Sequence, residues 1–317
     1  MKEQIRKCGF VGLIGRPNAG KSTLLNACIG TKLAGVSKKP QTTRNRILGI
    51  DILENTQTIF LDTPGMHRST GKAKINHLMN KEAWGVLEEA DIICYLIDCK
   101  FGWHPWDEDT LRSLLQQCNV PIMILATKTD LEKKNIIEKQ CELINEKIDT
   151  LITELEAANK ISARIIQPYP YLISSKRPEE IRHFKSIIAD MLPEGPFLYN
   201  QDDITDRPQS FIISEMIREQ IFRQLGNELP YGTSVTIDKY EQLGSLTKIM
   251  ASIIVTQQSH KPIVLGKGGS RIRAIGASSR ITIEKHLDNK VFLDLFVKVQ
   301  ENWIEDPALI SQLQGIY

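Results

Sequence analysis

No stretch of the 317 residues approaches the roughly 18 consecutive apolar residues that a membrane-spanning helix needs. The opening MKEQIRKCGFVGLIGRPN has a basic start, but its apolar run from Phe10 to Ile14 is too short for a signal-peptide core. Charge of one sign is not in excess. The 40 Lys and Arg stand against 38 Asp and Glu, +2 overall, so any surface for a polyanion must be local. Cysteine is scarce: Cys8, Cys28, Cys94, Cys99, Cys118 and Cys141 lie among apolar residues with no CxxC pair. That indicates neither a zinc site nor a disulfide framework, and it points to a reducing, cytoplasmic setting. Internal repeats and low-complexity tracts are missing as well. What is present is ordinary, 41% hydrophobic and 25% charged residues, which excludes a disordered, collagen-like or coiled-coil chain. At roughly 150 residues per domain the length suggests about two domains.

Residues 8–196 alternate short apolar runs with helical patterns, which predicts a mostly parallel sheet with crossover helices on both faces, an α/β domain. Its expected strands are Gly9–Ile14, Thr58–Leu61, Ile92–Asp98, Ile122–Thr127 and Ile165–Ile173, the last interrupted by Pro168 and Pro170. Between the last two, Leu131–Lys160 carries Ile144, Ile148, Leu151 and Leu155 at helical spacing, one amphipathic helix or two. Pro193, Gly195 and Pro196, followed by YNQDDITDRPQ, read as a linker. The expected organisation is a first domain over 1–196, a linker over 197–206 and a smaller α+β domain over 207–317 ending in a short polar tail. Within the second domain the pattern predicts a helix over Phe211–Leu225, strands over Thr233–Tyr240 and Thr247–Thr256, a helix over Arg271–Leu287 and a strand over Val291–Val299.

Four constellations carry chemistry in the first domain. Gly15-Arg16-Pro17-Asn18-Ala19-Gly20-Lys21-Ser22 matches GxxxxGK[ST], follows an apolar strand, and opens a helix at Thr23. In that context the backbone amides cradle phosphates, Lys21 reaches the β- and γ-phosphates, and the Ser22 hydroxyl ligates Mg²⁺. Asp62-Thr63-Pro64-Gly65 follows the next expected strand; Asp62 can hold the metal and Gly65 can offer an amide to the γ-phosphate. Thr127-Lys128-Thr129-Asp130 resembles the guanine-reading NKxD. Asp130 can accept from guanine N1–H and N2–H₂, adenine lacks both donors, and the Lys128 stem can cover the base. Thr127 replaces the usual Asn, which predicts a weaker tie between this loop and the P-loop. Ser174-Ser175-Lys176 resembles the SA[KL] loop that reads guanine O6 through a backbone amide.

Together these pieces make residues 8–196 resemble a translation-factor-class GTPase domain, which implies GTP and GDP as ligands with Mg²⁺. The resemblance places switch I at Pro40-Gln41-Thr42-Thr43-Arg44, with Thr43, or alternatively Thr42, as a ligand of Mg²⁺ and of the γ-phosphate. Met66 stands where Ras-like enzymes carry a water-orienting Gln. Related GTPases with an apolar residue there use a P-loop Asn to hold K⁺, and Asn18 occupies that position. Slow intrinsic turnover is expected, with K⁺ the candidate stimulating ion.

In the second domain, Gly266-Lys267-Gly268-Gly269 joins two helical pieces after a pair of strands, with Ile272, Ile275 and Ile281 expected to form a buried face. That is the setting of a KH loop, whose glycines let a nucleic-acid backbone approach. Between Gln257 and Lys290 seven Lys or Arg, among them Lys267, Arg271 and Arg273, face two acids, a local +5. The strand order matches a type II KH domain. A GTPase domain followed by a type II KH domain resembles the Era family of bacterial ribosome-assembly GTPases. Ile204-Thr205-Asp206-Arg207, Ser214 to Glu219, and Glu228-Leu229-Pro230-Tyr231 look like that family's signatures. The resemblance implies single-stranded RNA as partner, the 3′ end of small-subunit ribosomal RNA on a pre-30S particle, and often peripheral membrane association of a monomer. Three rival readings remain: an RNA-binding adaptor with negligible turnover, a tRNA-modification-type GTPase, and a P-loop ATPase or kinase. A KH domain counts against the second and Asp130 against the third. His104, Asp98 and Asp107 carry no recognisable catalytic spacing, and His67 alone after the DTPG segment indicates little.

Overall fold

The structure, a computed structural model, describes residues 5–37, 39, 44–64, 85–226 and 229–314. Among these, residues 5–30, 46–64 and 85–206 form one compact unit, and residues 31–45 and 207–314 form a second.

The first unit is built on a six-stranded sheet of order β2-β3-β1-β4-β5-β6. The strands are β1 (Lys7–Gly15), β2 (Ile47–Leu53), β3 (Thr56–Asp62), β4 (Ile92–Asp98), β5 (Ile122–Thr127) and β6 (Tyr171–Ile173). Among the described residues only β2 runs antiparallel, paired with β3. Helices α1 (Lys21–Ile29), α2 (Pro105–Gln117) and α3 (Lys134–Ala157) connect strands of the sheet, and α4 (Pro178–Met191) follows β6. Strands β3, β4 and β5 are buried along their whole length, as their continuous apolar runs dictate for a sheet covered on both faces. On one face Ile144, Ile148, Leu151 and Leu155 of α3 pack with Leu111, Leu114 and Leu115 of α2 against Tyr95 and Ile124. On the other, the Phe60 and Phe184 rings stack with centroids 6.3 Å apart.

Three features depart from the sequence reading. Strand β2 was not anticipated. It is an edge strand whose last three residues are only half-buried, so it lacks the continuous run of a central strand. Its Gly49 allows α1 to lie close, since a Cβ there would meet Leu25 at 2.7 Å and Ile29 at 2.9 Å. The expected strand 165–173 shortens to Tyr171–Ile173, with an isolated bridge from Ile165 to Ile122, because Pro168 and Pro170 have no N–H to give a ladder. The presumed linker 197–206 is bonded to the sheet. The Gln57 side-chain carbonyl accepts from the amides of Leu198 (2.8 Å) and Tyr199 (3.1 Å), Ile50 N–H donates to the Ile204 carbonyl (2.9 Å), and the Thr205 hydroxyl donates to the Leu48 carbonyl (2.6 Å).

The second unit has a three-stranded sheet, β7 (Thr233–Leu243), β8 (Leu246–Val255) and β9 (Lys290–Val299), antiparallel between the first two and parallel between the last two. Helices α5 (Gln209–Gln224), α6 (Lys261–Leu265) and α7 (Ser270–Leu287) complete it. Ile275, Ser279 and Ile283, four residues apart, form the buried stripe of α7. Ile281 falls off that stripe and is 66% exposed, contrary to expectation. The tail is also folded. A 3₁₀ turn, Trp303–Glu305, and α8 (Pro307–Gln314) bring Trp303 and Ile310 into a cluster with Ile254, and Trp303 has no exposed surface.

Residues 31–45, assigned by pattern to the first domain, make their described contacts with the second unit. The buried Glu219 carboxylate receives the Val36 amide at 2.9 Å and pairs with Lys32 at 2.7 Å. The Arg44 guanidinium donates to the carbonyls of Thr233 (2.8 Å), Pro230 (3.1 Å) and Tyr231 (2.8 Å), and lies over the Phe222 and Trp303 rings. That side chain meets the carbonyl ends of a short turn and two aromatic faces, which explains how a fully desolvated guanidinium is tolerated.

Candidate functional site

The C-terminal ends of β1, β3 and β5 and the loop after β6 converge at the start of α1, the place where a parallel sheet opens a ligand crevice. Strand β1 ends at Gly15, and the chain turns through Pro17 and a left-handed Asn18 before α1 begins at Lys21. No side chain caps that helix at Gly20, so its first amides point into the loop.

Lys21 is buried, and its ammonium donates to the carbonyls of Gly15 (2.9 Å) and Arg16 (3.0 Å) across the loop. Burial pushes its pKa down to about 8, with Lys128 adding to the shift and Asp62 opposing it. The Ser22 hydroxyl donates to the Asp62 carboxylate at 2.6 Å, and Asp62 is fully buried at the end of β3. A hydroxyl and a carboxylate so placed are the hard oxygen donors that suit Mg²⁺. Thr42, Thr43, Gly65, Met66 and His67 lie outside the described residues.

The base-reading loops are tied to this center. The Thr127 hydroxyl, at the end of β5, donates to the Ala19 carbonyl at 2.6 Å and lies 3.2 Å from the Ile97 carbonyl. Thr127 therefore makes a direct tie to the P-loop, where the sequence reading expected a weaker one. Lys128 is held in a left-handed conformation, and its ammonium donates to the Asn18 carbonyl (2.5 Å) and to Asp98 (2.6 Å). Asp130 accepts from the Ser174 hydroxyl (2.7 Å) and pairs with Lys176 (2.8 Å). Burial alone would raise its pKa, but the hydrogen bonds from Lys176 and Ser174 outweigh it and hold the carboxyl below its usual range. Ser174 is itself fixed by its amide bonding to Glu180 at 2.7 Å. Ser175 is half-buried in the same loop.

Two supporting residues escaped the sequence reading because their partners are remote in the chain. Asp98 steers Lys128. Asp107, fully buried, accepts from the Tyr95 hydroxyl (2.8 Å) and from Arg16 (3.1 Å), so it braces the P-loop from beneath. His104 caps α2 through the Trp106 amide and is structural.

In the second unit the Gly266–Gly269 loop precedes α7, with Gly266, Gly268 and Gly269 all at positive φ. A Cβ at Gly268 would meet nothing within 4 Å, so the loop's outer side is open to an approaching backbone. Lys267, Arg271 and Arg273 are exposed around it, and Arg271 is anchored to the Ile263 carbonyl at 2.8 Å.

Comparison with known proteins finds relatives of both units. The family model described as a 50S ribosome-binding GTPase matches residues 10–128, and a KH-domain model matches residues 228–304. GTPase Era of Stenotrophomonas maltophilia (strain R551-3) is 39% identical over 314 residues, 98% of each chain. GTPase Era of Pseudomonas aeruginosa (strain UCBPP-PA14) is 36% identical over 307 residues, 97% of this chain and 94% of its own. Among solved structures, an Aquifex aeolicus Era variant bound to GDP·AlF₄⁻ matches with TM-score 0.83 at 32% identity, over 97% of this chain and 98% of its own. Era in complex with MgGDPNP and nucleotides 1506–1542 of 16S ribosomal RNA matches with TM-score 0.84 at 32% identity and the same coverage.

Proposed function

The chain belongs to the Era family of GTPases, and we propose that it is a switch that hydrolyses GTP in its first unit and binds single-stranded RNA, the 3′ end of small-subunit ribosomal RNA, with its second. One observation carries the nucleotide half. Residues scattered from 19 to 176 meet in four short contacts, Ser22 to Asp62, Thr127 to Ala19, and both Ser174 and Lys176 to Asp130.

On this reading Lys21 takes the β- and γ-phosphates, whose negative charge restores the ammonium that burial disfavours. The amides of the loop from Gly15 through Asn18, Ala19 and Gly20 to Thr23 hold the remaining phosphate oxygens. Ser22 and Asp62, with Thr43, hold Mg²⁺, which when bound neutralises charge on the transferred phosphoryl group. Gly65 meets the γ-phosphate, and Asn18, exposed on the loop, is the K⁺ ligand of this reading. Asp130 accepts from guanine N1–H and N2–H₂, while Ser174 and Lys176 keep it ionised and aimed. Lys128 covers the base, and the Ser175 amide reads O6.

For the second unit, support comes from the open glycine loop with its exposed cations and from the 16S ribosomal RNA held by the Era relative. Gly266, Lys267, Gly268, Gly269, Arg271 and Arg273 are the proposed RNA contacts. The protein would work as a monomer on a pre-30S particle in the cytoplasm, with any membrane contact peripheral. Competition of GTP, GDP and ATP against a labelled guanine nucleotide tests the base assignment. GTP and GDP should displace the label at least 100-fold better than ATP, since adenine would leave Asp130 without two donors. Equal displacement by ATP would overturn it.

A further inference from the structure

Asp107 has no catalytic spacing in the sequence, yet the fold brings it beneath the P-loop. Its carboxylate is fully buried and is held from two rigid elements. The Tyr95 hydroxyl of β4 donates to it at 2.8 Å, and the His104 amide at the start of α2 donates at 2.9 Å. Its cationic partner is Arg16, the residue that follows β1, whose Nε lies 3.1 Å from both carboxylate oxygens. Burial raises the Asp107 pKa, and Arg16 is the largest influence opposing that shift. The same guanidinium also donates to the Gly102 carbonyl at 2.6 Å. Gly102 lies pressed against α3, since a Cβ there would meet Gln140 Oε1 at 1.9 Å.

The Arg16 side chain is therefore fixed at two points, on the loop after β4 and on the first turn of α2. What Arg16 presents to the nucleotide site is its backbone. Its carbonyl accepts from the Lys21 ammonium at 3.0 Å and from the Ala19 amide at 3.2 Å. The Gly15 carbonyl accepts from the same ammonium at 2.9 Å. The two carbonyls differ in what holds them. Gly15 is the last residue of β1 and is paired with Leu96 in the sheet. Arg16 lies past the strand, so the direction of its carbonyl depends on the anchoring of its own side chain. A buried ion pair adds little net stability, because desolvation offsets the attraction, but its directional bonds favour one geometry.

We infer that Asp107 and Arg16 are positioning residues of the GTP site: the pair fixes the carbonyl that aims Lys21 at the β- and γ-phosphates. The inference rests on the nucleotide reading above and adds to it a carboxylate that lies outside every motif of the sequence.

The test is a set of double-mutant cycles on the full chain with Mg²⁺, read as displacement of a fluorescent GDP by GDP. Asp107→Asn and Arg16→Gln should each lower GDP affinity about tenfold, the loss of one hydrogen bond to a charged group, and the two together little more than either. In Lys21→Met, where the ammonium is gone, Asp107→Asn should cost about threefold or less, the remainder passing through the Ala19 amide. Arg16→Lys keeps the charge but cannot span both anchors, and should fall between Arg16→Gln and wild type. Thermal unfolding of the nucleotide-free variants verifies that each is folded. The Arg16 side chain is 21% exposed, so Arg16→Gln carries the same cycle with Lys21→Met should Asp107→Asn unfold. GDP binding by the folded variants equal to wild type overturns the inference. A tenfold loss that persists in full in Lys21→Met also overturns it, because the pair then supports the fold without acting on Lys21. A wild-type chain that binds no GDP overturns the nucleotide reading, and this inference with it.

Discussion

Replacing Thr127 by valine removes one buried hydroxyl and keeps the side chain's shape. That hydroxyl is 2.6 Å from the Ala19 carbonyl, and both residues are nearly inaccessible, at 4% and 2% exposure. Valine would leave the Ala19 carbonyl buried without this donor, a cost of about 1–3 kcal/mol. Where the cost appears depends on which state needs the loop held. Without nucleotide the P-loop can shift and let water reach Ala19, whereas bound phosphates fix its amides. The loss should therefore fall mainly on binding, as an affinity for GDP lower by about 5- to 150-fold. Lys128 still ties the same loop through the Asn18 carbonyl, which favours the lower part of that range. Calorimetric titration of GDP into wild type, Thr127→Val and Thr127→Ser measures it, with urea unfolding of the nucleotide-free proteins as the companion. Serine keeps the hydroxyl and should bind within a few-fold of wild type. If valine binds like wild type and serine is weaker, the methyl group rather than the hydroxyl matters, and the reasoning fails.

Other consequences follow from the same contacts. Because burial lowers the Lys21 pKa to about 8 and phosphates favour its charged form, GDP binding should take up a proton, little at pH 7 and increasingly as pH rises through 8 to 9. Affinity then falls with rising pH above 8, and calorimetry in buffers of different ionisation enthalpy reads the uptake directly; no uptake at pH 9 would contradict it. Asp130→Asn should lower GTP affinity by about 100-fold or more while admitting xanthine, whose C2 carbonyl can accept from the new amide. Trp303→Ala, which empties a fully buried site against Ile254 and Arg44, should destabilise the chain by about 3–5 kcal/mol in urea unfolding. A hydrolysis rate that rises when K⁺ replaces Na⁺, and no longer does so in Asn18→Ala, is expected if Asn18 holds the ion.

What the sequence made legible was local. The P-loop is eight consecutive residues whose strand-before and helix-after context can be read directly, and Asp62 and Asp130 follow expected strands in the expected order. What it hid was long-range. Thr127 departs from the usual residue at its position, and its compensating bond is to Ala19, over a hundred positions away. Residues 31–45 read as part of the first domain by adjacency alone, yet Arg44 and Glu219 tie them to the second unit. Strand β2 was missed because an edge strand need not be apolar throughout, and the terminal helix because eight residues carry too few turns to show a period. Ile281 shows the converse error: an isoleucine counted for the core stands six residues beyond Ile275, off the stripe, and faces solvent.

The central claim is that one chain couples guanine nucleotide to single-stranded RNA. The most direct measurement is binding of a labelled RNA that copies the small-subunit ribosomal RNA 3′ tail, with GDPNP or with GDP at fixed salt, in wild type and in Gly268→Asp. That variant places a carboxylate at a positive-φ position on the open side of the glycine loop. The account predicts tight binding with GDPNP, weak binding with GDP, and loss in the variant. Equal affinity with both nucleotides would contradict the switch, and unchanged binding by Gly268→Asp would contradict the assignment of the RNA site.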